Sequence, residues 1–268
     1  LFYFQDPVLS TDLLAFYRQA TQQLLTVVDV ETTGMGPPAA RVTEVSVLQA
    51  TLQGGIQQQQ THLINSQTKV PAQITRFTGI TQAMVDQARP SSEVWPECLP
   101  WLSTGILTAH NLAFDYRFIQ AEYDFLGINF TRPVNQQFCT VILARLMLPD
   151  LPSRSLPDLV RHFDFKVGRS HRAEADAKAC WLLAERLLTE IHNETDQAIL
   201  GRFARQWLPL GDAASILGCT GRQARSRLAQ AGIEPRLVGR YKTPLYQRGA
   251  VERLHWDRND RGNTIQLL

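Results

Sequence analysis

No run of about 18 or more apolar residues occurs in the chain, which excludes a transmembrane helix. The four cysteines, Cys98, Cys139, Cys180 and Cys219, are widely spaced and form no C-x-x-C pair. That argues against a zinc site and against structural disulfides, and reduced thiols in a cytoplasmic protein are expected. Internal repeats and low-complexity stretches are absent, Gln57 to Gln60 being too short to count. The first residues, Leu1 to Gln5, lack the length and the charged start of a secretory signal. The chain opens on Leu1 rather than Met, and no expectation rests on residues 1–5.

What is present describes an ordinary globular protein: 268 residues, 44% hydrophobic and 19% charged. This length holds one large domain, or a catalytic domain with a small module. Net charge is only +2 but uneven. Residues 201–268 hold 12 Arg and Lys against 5 Asp and Glu, whereas residues 1–200 hold 15 against 20. A mildly acidic body with a basic tail assigns non-specific attraction for phosphate to the tail.

Ser10-Thr11-Asp12 opens an amphipathic stretch to about Gln23, a helical N-terminal extension over residues 1–21. Leu24 to Val30 is a nearly continuous apolar, β-branched run, the pattern of a strand buried on both faces. Thr43 to Thr51 and Ile56 to Ile64 alternate around Gly54-Gly55 and read as a hairpin. Helical patterns follow near 71–77, 81–87 and 92–102, with prolines at 71, 90, 96 and 100 expected to break the region into short pieces. A short strand at 105–110, a helix at 112–126, a weak fifth strand at 137–140 and helices near 140–147, 155–163 and 173–194 complete the body. The expected fold is α/β: a mixed five-stranded sheet with helices on both faces. Residues 22–194 are expected to form the body, 195–207 a polar linker, and 208–268 the tail.

Three short motifs stand out: V-V-Asp29-V-Glu31-T-T-G, His110-N-L-A-F-Asp115 and His171-R-A-E-A-Asp176. Asp29 and Glu31, two residues apart in a strand, share a face. Asp115 and Asp176 each lie near the start of a helix. Singly, each has an ordinary explanation: a solvated edge pair, an acid favoured by the helix dipole, a loop histidine. Together, four hard carboxylates suit Mg²⁺ or Mn²⁺ rather than zinc. Two such ions about 4 Å apart activate water and stabilise the leaving oxygen of a phosphodiester, and a histidine beside them is a fitting general base.

On these motifs the chain resembles the DEDDh (DnaQ-like) family of 3′–5′ exonucleases, the family of the proofreading epsilon subunit of bacterial DNA polymerase III. The resemblance spans roughly residues 22–192 and implies a ribonuclease H-like fold. It also implies Asp29, Glu31, Asp115 and Asp176 as ligands of two divalent ions, Mg²⁺ or Mn²⁺, and His171 as general base. The step from His171 to Asp176 fits the histidine branch; the tyrosine branch would place Tyr where Arg172 stands. Thr32, Thr33 and Gly34 would line the pocket for the terminal nucleotide, with His110, Asn111 and Phe114 as further substrate-binding candidates. Phe77-Thr78-Gly79-Ile80-Thr81 and Ser155-Leu156-Pro157-Asp158-Leu159 resemble two subsidiary family segments. Cys139-Thr140 departs from relatives that carry Asp before that Thr, at a position that is not a metal ligand in the family.

The tail shows a second pattern: a short helix at 210–218, the turn Cys219-Thr220-Gly221, and a basic helix from Arg222 to Ala231. Two short strands around a basic turn complete it. It resembles a small winged helix-turn-helix of the MerR or excisionase kind. Arg222, Arg225, Arg227, Arg236, Arg240 and Lys242 are its candidate DNA contacts. Gln197 to Phe203 loosely resembles a sliding-clamp-binding peptide. Body and tail together read as a two-metal exonuclease acting on nucleic acid, DNA before RNA, in repair, proofreading or end processing, with no membrane partner. An RNA-trimming exoribonuclease and a DNA-binding regulator with a vestigial nuclease domain are the alternatives.

Overall fold

The computed structural model describes residues 8–265, with side-chain surroundings through 257. Residues 1–5 thus lie outside the described residues. The chain divides into two compact units. Of the described residues, the first holds Arg18–Leu143 and Pro152–His192; the second holds residues 8–17, Ala144–Leu151 and residues 193–265.

The first unit is built on β1 (Leu25–Thr32), β2 (Val42–Thr51), β3 (Gly55–Asn65), β4 (Arg89–Pro90), β5 (Ile106–Ala109) and β6 (Gln137–Cys139). They form one sheet in the order β4-β3-β2-β1-β5-β6. β1–β2 and β2–β3 are antiparallel, while β3–β4, β1–β5 and β5–β6 are parallel. The sheet is mixed, as its sequence pattern implies, but has six strands rather than five. The extra strand, β4, pairs only Arg89 with Ile64 and Pro90 with Asn65. Two residues are too few to leave an alternation in sequence.

Helix α1 (Ser10–Ala20) precedes the sheet; α2 (Ala72–Thr78), α3 (Gln82–Asp86) and α4 (Ser91–Leu102) follow β3 and β4. Pro96 and Pro100 sit inside α4 instead of breaking it. They are four residues apart, share one face and are exposed, so the helix bonds they remove are lost on its solvent side. Further on lie α5 (Leu112–Phe125), α6 (Thr140–Met147), α7 (Leu156–Phe163) and α8 (Ala173–Asn193). Ser155 caps α7 by accepting the amide of Asp158.

β1 is central and buried on both sides. Val28 and Val30 join a core with Val94 and Trp95 of α4 and Phe118 and Ile119 of α5. Leu25 and Val27, on the opposite face, are equally enclosed. By the two-residue period, Asp29 and Glu31 continue the Leu25–Val27 face. Gly105 makes the entry to β5 possible: at φ +66° a Cβ would lie 2.5 Å from the Leu24 carbonyl oxygen.

In the second unit, α9 (Asp196–Phe203) occupies the stretch expected as a linker. Its Ile199 and Phe203, two apolar residues of the clamp-like peptide, are fully buried, while Leu200 is half-buried. β7 (Trp207–Pro209), α10 (Leu210–Ile216), α11 (Gly221–Gln230), β8 (Arg236–Val238), β9 (Thr243–Gln247) and α12 (Arg248–Ile265) complete the unit. The strands form a small sheet in the order β7-β9-β8. Leu208, Ala213, Ile216, Ala224, Leu228, Tyr246 and Val251 make its core. Thr220 and Gln223 close a capping box at the start of α11.

Candidate active site

The end of β1 delivers two acids. Asp29 is opposite Ser46 of β2, and Glu31 is opposite Glu44. α5 supplies Asp115 from its first turn, 4% exposed, whose Oδ1 accepts the amide of Val30 at 3.2 Å. α8 supplies Asp176, also from the first turn, whose Oδ2 accepts the amide of His171 at 2.9 Å. Glu31, His171 and Asp176 each place one ligand atom within 4.8 Å of the others. Three segments remote in sequence therefore converge on one point of the sheet.

The electrostatics of this cluster are costly. Burial, then the charges of Asp115, Asp176, Glu31 and Glu44, push the Asp29 carboxyl well above the usual range. Burial does the same to Asp115, against the lowering effect of the Val30 amide. Glu31 is pushed up to about 8 by burial, Asp176 and Glu44, with Arg172 acting the other way. Asp176 is raised by burial despite the His171 amide. The one guanidinium acting on Glu31, that of Arg172, is already engaged by Glu44. Closely set, partly desolvated, oxygen-only donors in need of positive charge are the donor set of a hard divalent cation.

His171 sits at φ +63°, a conformation uncommon for a side-chain-bearing residue. Its imidazole stacks on Phe77, ring centroids 3.7 Å apart and tilted by 31°. Gly79, at φ +80°, lies under the guanidinium of Arg169; a Cβ there would be 2.9 Å from Nη1. The segment 77–79 is a seat for the His171 loop.

The remaining candidates fall into place differently. Thr32 and Thr33 are buried; Thr32 donates to the Gly34 carbonyl at 2.6 Å, and Thr33 accepts the Arg41 amide at 3.0 Å. They hold the turn after β1, and Met35 beyond it is 82% exposed. Asn111 precedes α5 in the left-handed region without capping it through its side chain. Phe114 packs on Phe118, centroids 4.9 Å apart. His110 is engaged at both ring nitrogens, by Thr140 Oγ1 at 2.9 Å and the Arg154 carbonyl at 3.0 Å. That arrangement ties β5 to the segment before α7.

Two residues of consequence were not singled out by sequence. Glu44, 1% exposed, receives Arg172 and the Ala173 amide. Glu122, 1% exposed, takes Nε and Nη2 of Arg41 at 2.8 Å each, and the Val42 amide at 3.0 Å.

The family model RNase_T, described as exonuclease, matches residues 26–183. The chain belongs to this exonuclease family. Its members are metal-dependent nucleases that use divalent ions, in agreement with the donor set above. The chain is 33% identical over 153 residues to the PolC-type DNA polymerase III of Clostridium perfringens, covering 57% of this chain and 10% of the polymerase. It is 29% identical over 171 residues to the 3′–5′ exonuclease DinG of Bacillus subtilis, covering 63% and 18%. It therefore spans less than a fifth of the length of either relative. Among solved structures, E. coli exonuclease I in complex with a dT13 oligonucleotide superposes with a TM-score of 0.57 at 15% identity. That match covers 63% of this chain and 41% of exonuclease I, and shows a shared fold: the mixed sheet of ribonuclease H-like exonucleases.

Proposed function

We propose that this chain is a 3′–5′ exonuclease that hydrolyses the terminal phosphodiester of DNA and releases nucleoside monophosphates, in repair, proofreading or end processing. The observation that carries it is the convergence of Glu31, His171 and Asp176 within 4.8 Å, beside the half-buried Asp29 and the buried Asp115. In this reading Asp29, Glu31, Asp115 and Asp176 hold two divalent ions, Mg²⁺ or Mn²⁺. Such ions, when bound, neutralise the phosphate and lower the pKa of an attacking water. His171 accepts the proton of that water as its oxygen bonds to phosphorus. The bond from phosphorus to the 3′ oxygen of the penultimate nucleotide breaks, and that oxygen takes a proton from solvent. The products are a nucleoside 5′-monophosphate and a strand one nucleotide shorter with a free 3′ hydroxyl. The turn held by Thr32, Thr33 and Gly34, with Asn111 and Phe114 at the start of α5, borders the terminal nucleotide.

DNA is favoured because the relatives include a replicative DNA polymerase and because the second unit has the parts of a duplex reader. Helix α10, a tight turn, the capped helix α11 and the β8–β9 hairpin run in that order. Arg222 and Arg225 are exposed on α11, and Arg236, Arg240 and Lys242 are exposed on the hairpin. This is consistent with a winged helix-turn-helix that contacts phosphates. Among the described residues no helix is long and apolar enough to cross a membrane. A cytoplasmic location remains part of the proposal.

The test is a gel assay of 5′-labelled single-stranded, duplex and mismatched DNA beside RNA of equal length, with Mg²⁺, Mn²⁺ or chelator. Stepwise shortening of DNA that needs metal and is lost in His171→Ala and Asp176→Ala supports the proposal. Preference for RNA would make the chain an exoribonuclease. Binding without cleavage under every ion would make it a DNA-binding regulator with a vestigial nuclease domain.

A further inference from the structure

The motif acids leave one buried carboxylate of the same region without a part in the chemistry. Glu44 faces Glu31 across the β1–β2 ladder and is 1% exposed. A fifth negative charge beside four others raises Glu31 further, so its presence is costly for the metal-free site. Both of its oxygens are taken from one direction. Arg172 donates Nε at 3.2 Å and Nη2 at 2.5 Å to Oε1, and Nε at 3.0 Å to Oε2, while the Ala173 amide donates to Oε2 at 2.9 Å. These oxygens face the start of α8, and Glu44 is not part of the Glu31–His171–Asp176 cluster.

Arg172 and Ala173 directly follow His171, whose positive φ must be imposed by its surroundings. Ala173 opens α8, and Asp176 lies one turn on. The Asp176 carboxylate in turn accepts the His171 amide. The hydrogen bonds thus run from β2 through Glu44 to the loop–helix junction, and from that helix back to His171. A planar guanidinium held at both donors by a buried carboxylate fixes orientation as well as distance.

We propose that Glu44 is a positioning residue: by gripping Arg172 and the Ala173 amide it sets the backbone that presents His171 and Asp176 to each other and to Glu31. The kinetic side of this assignment rests on His171 being the general base; the structural side does not.

Two variants test it. Glu44→Gln keeps the volume but turns a donor toward Arg172 or Ala173. Arg172→Lys leaves β2 intact and replaces the fork by a point charge, so it serves if Glu44→Gln fails to fold. Hydrogen–deuterium exchange is read on peptides covering 168–176, with peptides covering Leu25–Thr32 as control. The expected result is faster exchange in 168–176 and unchanged exchange in β1. At saturating metal, kcat on a single-stranded oligonucleotide falls about 10-fold while KM stays within about two-fold. Unchanged exchange in 168–176 overturns the proposal whether or not the protein cleaves DNA. Faster exchange in the variants of a protein whose wild type cleaves nothing would support the grip and refute the nuclease reading.

Discussion

The imidazole of His171 rests against the phenyl ring of Phe77, centroids 3.7 Å apart, although Phe77 is itself 57% exposed. An exposed aromatic gains little from burial there, so its value lies in holding the ring above it. Phe77→Ala should lower kcat about 10-fold or more by freeing the imidazole, and Phe77→Trp should largely preserve it. Stability should change little, as for other exposed positions, by about 0.5 kcal/mol. Steady-state kinetics and a melting curve separate the two; a large loss of Tm with normal kcat would refute the seat.

Asp29 illustrates the opposite balance, a residue whose place in the proposed cation site costs stability. It is half-buried, and both desolvation and the charges of Asp115, Asp176, Glu31 and Glu44 raise its carboxyl. Asp29→Asn removes the charge with little change of shape. It should abolish nucleotide release and yet raise Tm in chelator at pH 8. In a domain of this size about 1 kcal/mol corresponds to about 2–4 °C. Differential scanning fluorimetry decides it, and a lower Tm would count against the cation-site reading.

The same charges set the pH dependence of the metal-free protein. Glu31 ordinarily titrates near 4.5 and in the folded site is pushed up to about 8. Between these values the folded state holds more protons than the unfolded one, so stability falls as pH rises. The loss is absent below about pH 4.5 and complete above about pH 8. Asp29, Asp115 and Asp176 act in the same direction. Tm in chelator should therefore drop from pH 5 to pH 8, and saturating Mn²⁺ should add more at pH 8 than at pH 5. A metal-induced gain that shrinks as pH rises would contradict this.

Why Asp29, Glu31, Asp115 and Asp176 are legible in sequence, and Glu44 and Glu122 are not, has a physical reason. The first four sit at strand and helix ends whose periodicity and capping are local, so each can be placed from its neighbours. Glu44 lies in Val42–Thr51, where a polar residue in an alternating strand reads as solvent-facing. Its burial depends on Arg172, 128 residues away, and that of Glu122 on Arg41, 81 residues away. Local pattern carries no trace of such partners. The same limit hides β4, whose pairing with Ile64 and Asn65 is the only mark of a strand. It also explains α9, a polar stretch whose Ile199 and Phe203 are buried by tertiary packing.

The arginines of α11 divide into two kinds, and this gives the tail its sharpest test. Arg222 and Arg225 are exposed, whereas Arg227 is half-buried and donates to the Leu217 carbonyl at 2.9 Å and to Cys219 Sγ at 3.7 Å. Arg227 therefore closes the turn between α10 and α11 instead of facing a ligand. Replacing Arg222 and Arg225 by Ala should weaken duplex DNA binding and leave Tm nearly unchanged. Each lost phosphate contact lowers the slope of log affinity against log salt by about 0.9. The double variant should thus lose about 1.8 from that slope. Arg227→Ala should leave the slope alone and destabilise the second unit by about 1–2 kcal/mol, the cost of a lost charged hydrogen bond. Fluorescence anisotropy across a salt series, paired with thermal melts, reads both quantities. An unchanged slope in the Arg222/Arg225 double variant would remove this face of α11 from the DNA contact.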